Sequence, residues 1–132
     1  MGFQSSRPRL LASYAILRTP SFTPIAAAYR PQWILVSAGF DPHRRDPLGG
    51  MAVTEKGFGV MAARLLELAE EHAEGKIAFL LEGGYDLAGL RESVSAVLRE
   101  MRQVTRDDFP GSGGEKIRPL IRDVLKIQEK YW

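Results

Sequence analysis

The sequence predicts an α/β fold in which parallel strands are joined by crossover helices, and three observations carry that prediction. Two short, strongly apolar runs, Trp33-Ile34-Leu35-Val36-Ser37-Ala38 and Ile77-Ala78-Phe79-Leu80-Leu81, read as strands. Apolar residues on both faces suit a sheet covered on both sides, as parallel sheets are. Between the runs lies one amphipathic helical pattern, and a helix between two such strands is the crossover of a βαβ unit. Finally, each run leads straight into polar residues, Gly39-Phe40-Asp41-Pro42-His43 after the first and Glu82-Gly83-Gly84-Tyr85-Asp86 after the second. Ligands of open α/β sheets bind at the carboxyl ends of the strands. Asp41 and Tyr85 are therefore expected to form halves of one site.

The elements follow in order. Residues 1–9 are polar and without periodicity. The segment Leu10 to Leu17 reads as a helix or an irregular lead-in; Arg7 and Arg9 before it give a faint look of a signal peptide, which Arg18 cuts short. A helix is predicted from Pro24 to Tyr29, because proline suits a first helical turn. Pro31 ends it by pushing the preceding residue out of the α region. After the first strand, Asp41 to Gly50 is a loop rich in proline and glycine. Thr54 is placed to cap the next helix, with Phe58, Met61, Leu65, Leu68 and Ala69 on its inner face. Gly75 closes it as a left-handed cap. Asp86 caps a further helix whose inner face is expected to hold Leu87, Leu90, Val94, Val97, Leu98 and Met101. Asp107 to Gly114 is a loop by composition. A last helix gathers Ile117, Leu120, Ile121, Val124 and Leu125 on one side, with Pro119 in its first turn.

Composition narrows the function classes. At 132 residues the chain has the length of one domain. A net charge of +2, with no basic run longer than Arg44-Arg45, argues against nucleic acid or an anionic membrane as partner. No stretch approaches the length of a membrane span. With no cysteine there is neither a disulfide framework nor a thiolate metal site, and the cytoplasm is the expected compartment.

Taken alone, each candidate residue has a bland reading beside its chemical one. Asp41-Pro42 is good turn chemistry as well as a carboxylate placed to hold a metal. Tyr85 serves equally as a core tyrosine or as a hydroxyl donor. Gly83-Gly84 at a helix start could cradle a phosphate, but Glu82 and Asp86 would repel one. His43 reads as a surface loop residue and His72 as structural or solvated.

Together, Ser37-Ala38-Gly39-Phe40-Asp41-Pro42-His43, Asp46-Pro47-Leu48-Gly49 and Leu81-Glu82-Gly83-Gly84-Tyr85 resemble the C-terminal part of the zinc-dependent histone deacetylase family, which includes acetylpolyamine amidohydrolases and acetoin-utilisation proteins. The resemblance spans residues 24–132, with 1–23 a poorly matching lead-in. It implies part of the three-layer arginase-like deacetylase fold, a βαβ unit plus C-terminal helices. It implies Asp41 as a zinc ligand, Tyr85 as the catalytic tyrosine, Gly83 and Gly84 lining the acyl-lysine channel, and Leu48 at its rim. The substrate it implies is an acetylated lysine or acetylpolyamine.

The same resemblance exposes a shortfall. The family's base is one histidine of a His-His pair, and its other metal ligands come from an Asp-x-His motif. This sequence holds only His43 and His72, and neither motif. The expectation is a deacetylase fragment, inactive alone, for which another chain could supply the rest. Two alternatives stand beside it: a non-catalytic module that binds a partner through open sheet edges, and an unrelated α/β domain that binds a small anion at the glycine pair.

Overall fold

The computed structural model describes residues 22–102 and 118–131. The predicted helix over Leu10 to Leu17, the Asp107 to Gly114 loop and Ile117 lie outside the described residues, as do the side chains of Leu120 and Ile121. Six elements follow one another: α1 (Phe22–Tyr29), β1 (Ile34–Ala38), α2 (Glu55–His72), β2 (Ile77–Leu81), α3 (Leu87–Met101) and α4 (Arg118–Gln128).

The βαβ unit forms as its pattern dictates. β1 and β2 pair in parallel, with Ile34 opposite Ile77 and Ala38 opposite Leu81. Strands aligned this way carry their C-terminal loops to the same end of the sheet, which is what the shared site requires. α2 starts at Thr54, whose hydroxyl accepts from the Gly57 N–H. It ends through two residues of positive φ, Glu74 at 53° and Gly75 at 73°, with the Gly75 N–H returned to the Ala69 carbonyl. The left-handed turn thus begins one residue before the glycine that announced it.

The core lies between the sheet and the α2–α3 pair. Phe40, Val53, Phe58, Ala62 and Val97 are its buried centre, with Ala38, Met61, Phe79, Leu90 and Val94 packed on them. The Phe40 and Phe58 rings meet at 5.0 Å and 56°, a tilted contact worth about 0.5–1.5 kcal/mol beyond the area it buries. α3 turns a narrower stripe inward than its apolar pattern suggested. Gly89, Ser93 and Val97, four residues apart, are its buried positions, while Leu87, Leu98 and Met101 are exposed. Small residues at that spacing let the two helices approach closely, and the larger side chains are displaced to the flanks. On α4, Val124 and Ile127 are exposed and Leu125 is half-buried.

One face of the sheet is covered and the other is open among the described residues. Ile34, Val36 and Ala38 alternate inward, whereas Leu35 is 70 % exposed, and Leu80, opposite Ser37 on the same outer face, is 52 % exposed. Trp33, Leu81 and Tyr29 are exposed as well. Open strand edges beside exposed leucines are a template for association. The isolated chain should therefore self-associate and unfold at low temperature. Sedimentation velocity with a thermal scan checks this, and a monomer with a cooperative transition at an ordinary mesophile temperature would contradict it.

Candidate functional site

Two loops at the C-terminal end of the sheet build the site. Parallel pairing runs on past the strands: Glu82 N–H donates to the Ala38 carbonyl at 3.1 Å and Phe40 N–H to the Gly83 carbonyl at 2.8 Å. Asp41 and Gly83 are thereby pressed together. A Cβ on Gly83 would stand 2.5 Å from Asp41 Oδ1, and one on Gly39 would stand 2.9 Å from the same atom. The carboxylate lies over bare backbone on both strand ends, and a side chain at either glycine would displace it. Gly49 closes over the other side of the loop, with space for a Cβ only 1.8 Å from the Asp41 carbonyl oxygen. Gly84 has φ 129°, and a Cβ there would be 3.0 Å from both Leu90 and Phe40. Gly83 thus presses on Asp41, and Gly84 on the core.

Asp46 is the residue that joins the halves, and the sequence offered it only as one letter of a motif. It is buried, and its Oδ2 accepts from the Tyr85 N–H at 2.7 Å. Its Oδ1 accepts from the Leu48 and Gly49 N–H groups at 2.8 and 3.1 Å. One carboxylate therefore ties the Asp41 loop to the backbone of Tyr85. Burial pushes the Asp46 carboxyl up, but the N–H groups of Tyr85, Leu48, Gly49 and Asp86 together outweigh it and hold the carboxyl below its ordinary value. A depressed carboxyl contributes stability that is complete above its unfolded value and lost as pH falls through its folded value. Acidification through the lowered folded-state pKa of Asp46 should therefore loosen the Tyr85 loop. Hydrogen exchange at the Tyr85 amide would rise there in the native chain and lose that pH dependence in Asp46→Asn.

Tyr85 is 61 % exposed and Leu48 71 %. Both stand at the surface, Asp41 is half-buried, and the bland reading of Tyr85 as a core residue does not hold. His72 is half-buried near the end of α2, with Nε2 3.6 Å from Glu71.

His43 corrects the sequence reading. It is 1 % exposed, among the most buried side chains described, and not a surface loop residue. The polar run around it hid the fact that Phe58 stacks near its ring, at 6.4 Å and 20°. His43, Glu55 and Glu92 bring ligand atoms within 4.8 Å of one another. The Arg45 N–H donates to His43 Nδ1 at 3.2 Å, however, which leaves the ring proton on Nε2. The Arg45 guanidinium meets Glu92 at 2.5 Å. A proton and a cation already face these carboxylates, so the cluster is built as a charge network. The Glu55 N–H at the helix start, followed by Arg44, His43 and Arg45, holds the Glu55 carboxyl low against the burial that would raise it.

Asp41 belongs to no group of three converging His, Asp or Glu residues among those described. Its carboxylate over the two glycines fits one corner of a metal site and not the whole of it.

A parallel sheet delivering an aspartate and a tyrosine at one end, behind Gly-Phe-Asp and Glu-Gly-Gly-Tyr, defines a deacetylase-type α/β domain. Residues 11–101 match the family model described as the histone deacetylase domain, and the chain belongs to that family. It is 41 % identical over 106 residues to "Histone deacetylase 10, chloroplastic" of Oryza sativa subsp. japonica, a match covering 77 % of this chain and 24 % of that protein. It is 32 % identical over 129 residues to a "Probable deacetylase" of Archaeoglobus fulgidus, covering 83 % and 34 %. The crystal structure of the HDA15 HD domain superposes with a TM-score of 0.68 at 33 % identity, over 92 % of this chain and 31 % of that one. The chain therefore spans a quarter to a third of the length of these three relatives.

Proposed function

We propose that this chain supplies the Asp41 and Tyr85 half of a zinc-dependent deacetylase site that cleaves an acetylated amine. The site is completed by the histidines and the second carboxylate of a full deacetylase domain. The observation that carries this reading is the fastening of Tyr85 to the Asp41 loop through Asp46, which sets the two functional groups in one rigid frame. Zinc, when bound, would supply a Lewis acid and an acidified water. Asp41 would hold one coordination position, its carboxylate kept in place by Gly39 and Gly83. Tyr85 would donate its phenolic hydrogen to the oxygen of the acetyl group as negative charge grows there, an interaction that strengthens toward the transition state. Gly83 and Gly84 would keep the wall beside an acetyl-lysine or acetylpolyamine chain free of side chains, and the exposed Leu48 would meet its apolar stem.

Alone, the chain offers one ligand of the three that a catalytic zinc ordinarily takes from protein, and no histidine beside Asp41 to accept a proton from water. It should be inactive. The test is complementation: the chain mixed or co-expressed with the N-terminal portion of a related deacetylase and assayed on acetyl-lysine peptides and acetylpolyamines. Hydrolysis that needs both parts and vanishes in Asp41→Ala is the expected result. Hydrolysis by the chain alone, or a complement indifferent to Asp41, would overturn the reading. The open outer face of the sheet, with Leu35 and Leu80, favours a second role as the surface on which that complementary part docks.

A further inference from the structure

We infer that His43 is a positioning residue for Tyr85, acting through the first turn of α3. The inference rests on reading Asp41 and Tyr85 as one site, and it adds a residue to that site. The imidazole sits two residues beyond Asp41 and is sealed from solvent. Phe58 of α2 lies on one side of it. Gly89 of α3 also approaches it, so close that a Cβ there would stand 2.5 Å from Nδ1 and 2.8 Å from Cε1 of the ring. Gly89 is also where the α3 cap closes, its N–H donated to Asp86 Oδ1 at 2.5 Å. Asp86 follows Tyr85 directly in the chain. The ring thus spaces the Asp41 loop from the helix turn on which Tyr85 is mounted.

The ring is itself fixed. Nδ1 accepts the Arg45 N–H, so the protonated Nε2 points toward Glu55, at 3.8 Å from Oε2. That separation is too long for a direct hydrogen bond, and neither atom has a hydrogen-bond partner among the described residues. The ring is thus held by the Nδ1 hydrogen bond and by packing. Its thickness then sets the gap between loop and helix, and a displacement of about 1 Å in such a gap can cost a site roughly a hundredfold in rate.

The contact invites a size-exchange cycle. Gly89→Ala adds a methyl group where the ring stands, His43→Ala removes the ring, and the double variant exchanges one for the other. The first readout is the native-state NMR signal of the Tyr85 amide, which faces Asp46 at 2.7 Å. In Gly89→Ala that signal should move more than those of the core residues Ala62 and Val97, and it should return toward its original position in the double variant. The second readout is kcat of the complemented domain. It should fall roughly tenfold or more in Gly89→Ala with little change in KM, and recover in the double variant. If Gly89→Ala does not fold, His43→Ala against His43→Gln serves, the glutamine restoring bulk and a donor near Nε2. A Tyr85 signal that stays fixed, or that moves no more than the core signals, would overturn the inference. So would a kcat that falls in step with global stability and is not rescued. The NMR cycle stands without activity, so failure of the deacetylase reading would show separately as a complemented domain without hydrolysis.

Discussion

Replacing Gly49 by alanine should unseat the Asp41 loop and destabilise the fold by about 1–3 kcal/mol, the usual cost of forcing an extra group into a packed place. The new Cβ would fall 1.8 Å from the Asp41 carbonyl oxygen, 2.5 Å from its carbonyl carbon and 3.2 Å from Pro42 N. All three are backbone atoms, so no rotamer change relieves the clash and the loop itself must move. Gly50 is the internal control. It has φ 60° with nothing within 4 Å of an added Cβ, so Gly50→Ala should cost only the left-handed backbone term, about 1–2 kcal/mol. Chemical denaturation of both variants measures the two costs. The Asp41 amide should shift in Gly49→Ala and stay put in Gly50→Ala. Equal stability and unmoved Asp41 signals in the two variants would show that Gly49 does not clamp the loop.

Tyr85→Phe should show its effect only where the site is complete. In a complemented domain it should lower kcat by about 10²–10³-fold, roughly 2.7–4 kcal/mol, the range found on removing a single donor to a developing oxyanion. Bound zinc and KM should change little, because the hydroxyl contributes to the transition state more than to the ground state. The exposed side chain makes the substitution mild for folding. A variant that kept full kcat would remove Tyr85 from the chemistry. One that lost zinc as well would mean that the ring supports the loop rather than the reaction.

Much of this was legible in the sequence because it is local. Thr54 and Asp86 cap their helices as their side chains dictate, and two apolar runs around an amphipathic helix could scarcely avoid a parallel pair. The placement of Asp41 and Tyr85 at one end of the sheet follows from that pairing alone. What stayed hidden depends on contacts distant in sequence. His43 lies among Arg44, Arg45 and Pro42, and nothing nearby signals that Phe58 and Gly89 will close over it. The one available hint was the Gly89-Ser93-Val97 spacing, which marks a close approach on α3. The same spacing would have moved Leu87, Leu98 and Met101 off the inner face. Asp46 was in view as part of a motif, but its bond to the Tyr85 N–H crosses 39 residues of sequence. The exposure of Leu35 and Leu80 was legible too, since strands apolar on both faces are expected to show apolar surface wherever a fragment leaves one face open.

As proposed, this chain carries one part of a zinc site and not the whole. The most direct test is a zinc count by elemental analysis after exhaustive dialysis, on the chain alone and on the chain assembled with the N-terminal portion of a related deacetylase. The expected result is far less than one zinc per chain in the first sample and one per assembly in the second, lost again in Asp41→Ala. Stoichiometric zinc retained by the chain alone, and dependent on Asp41, would contradict it.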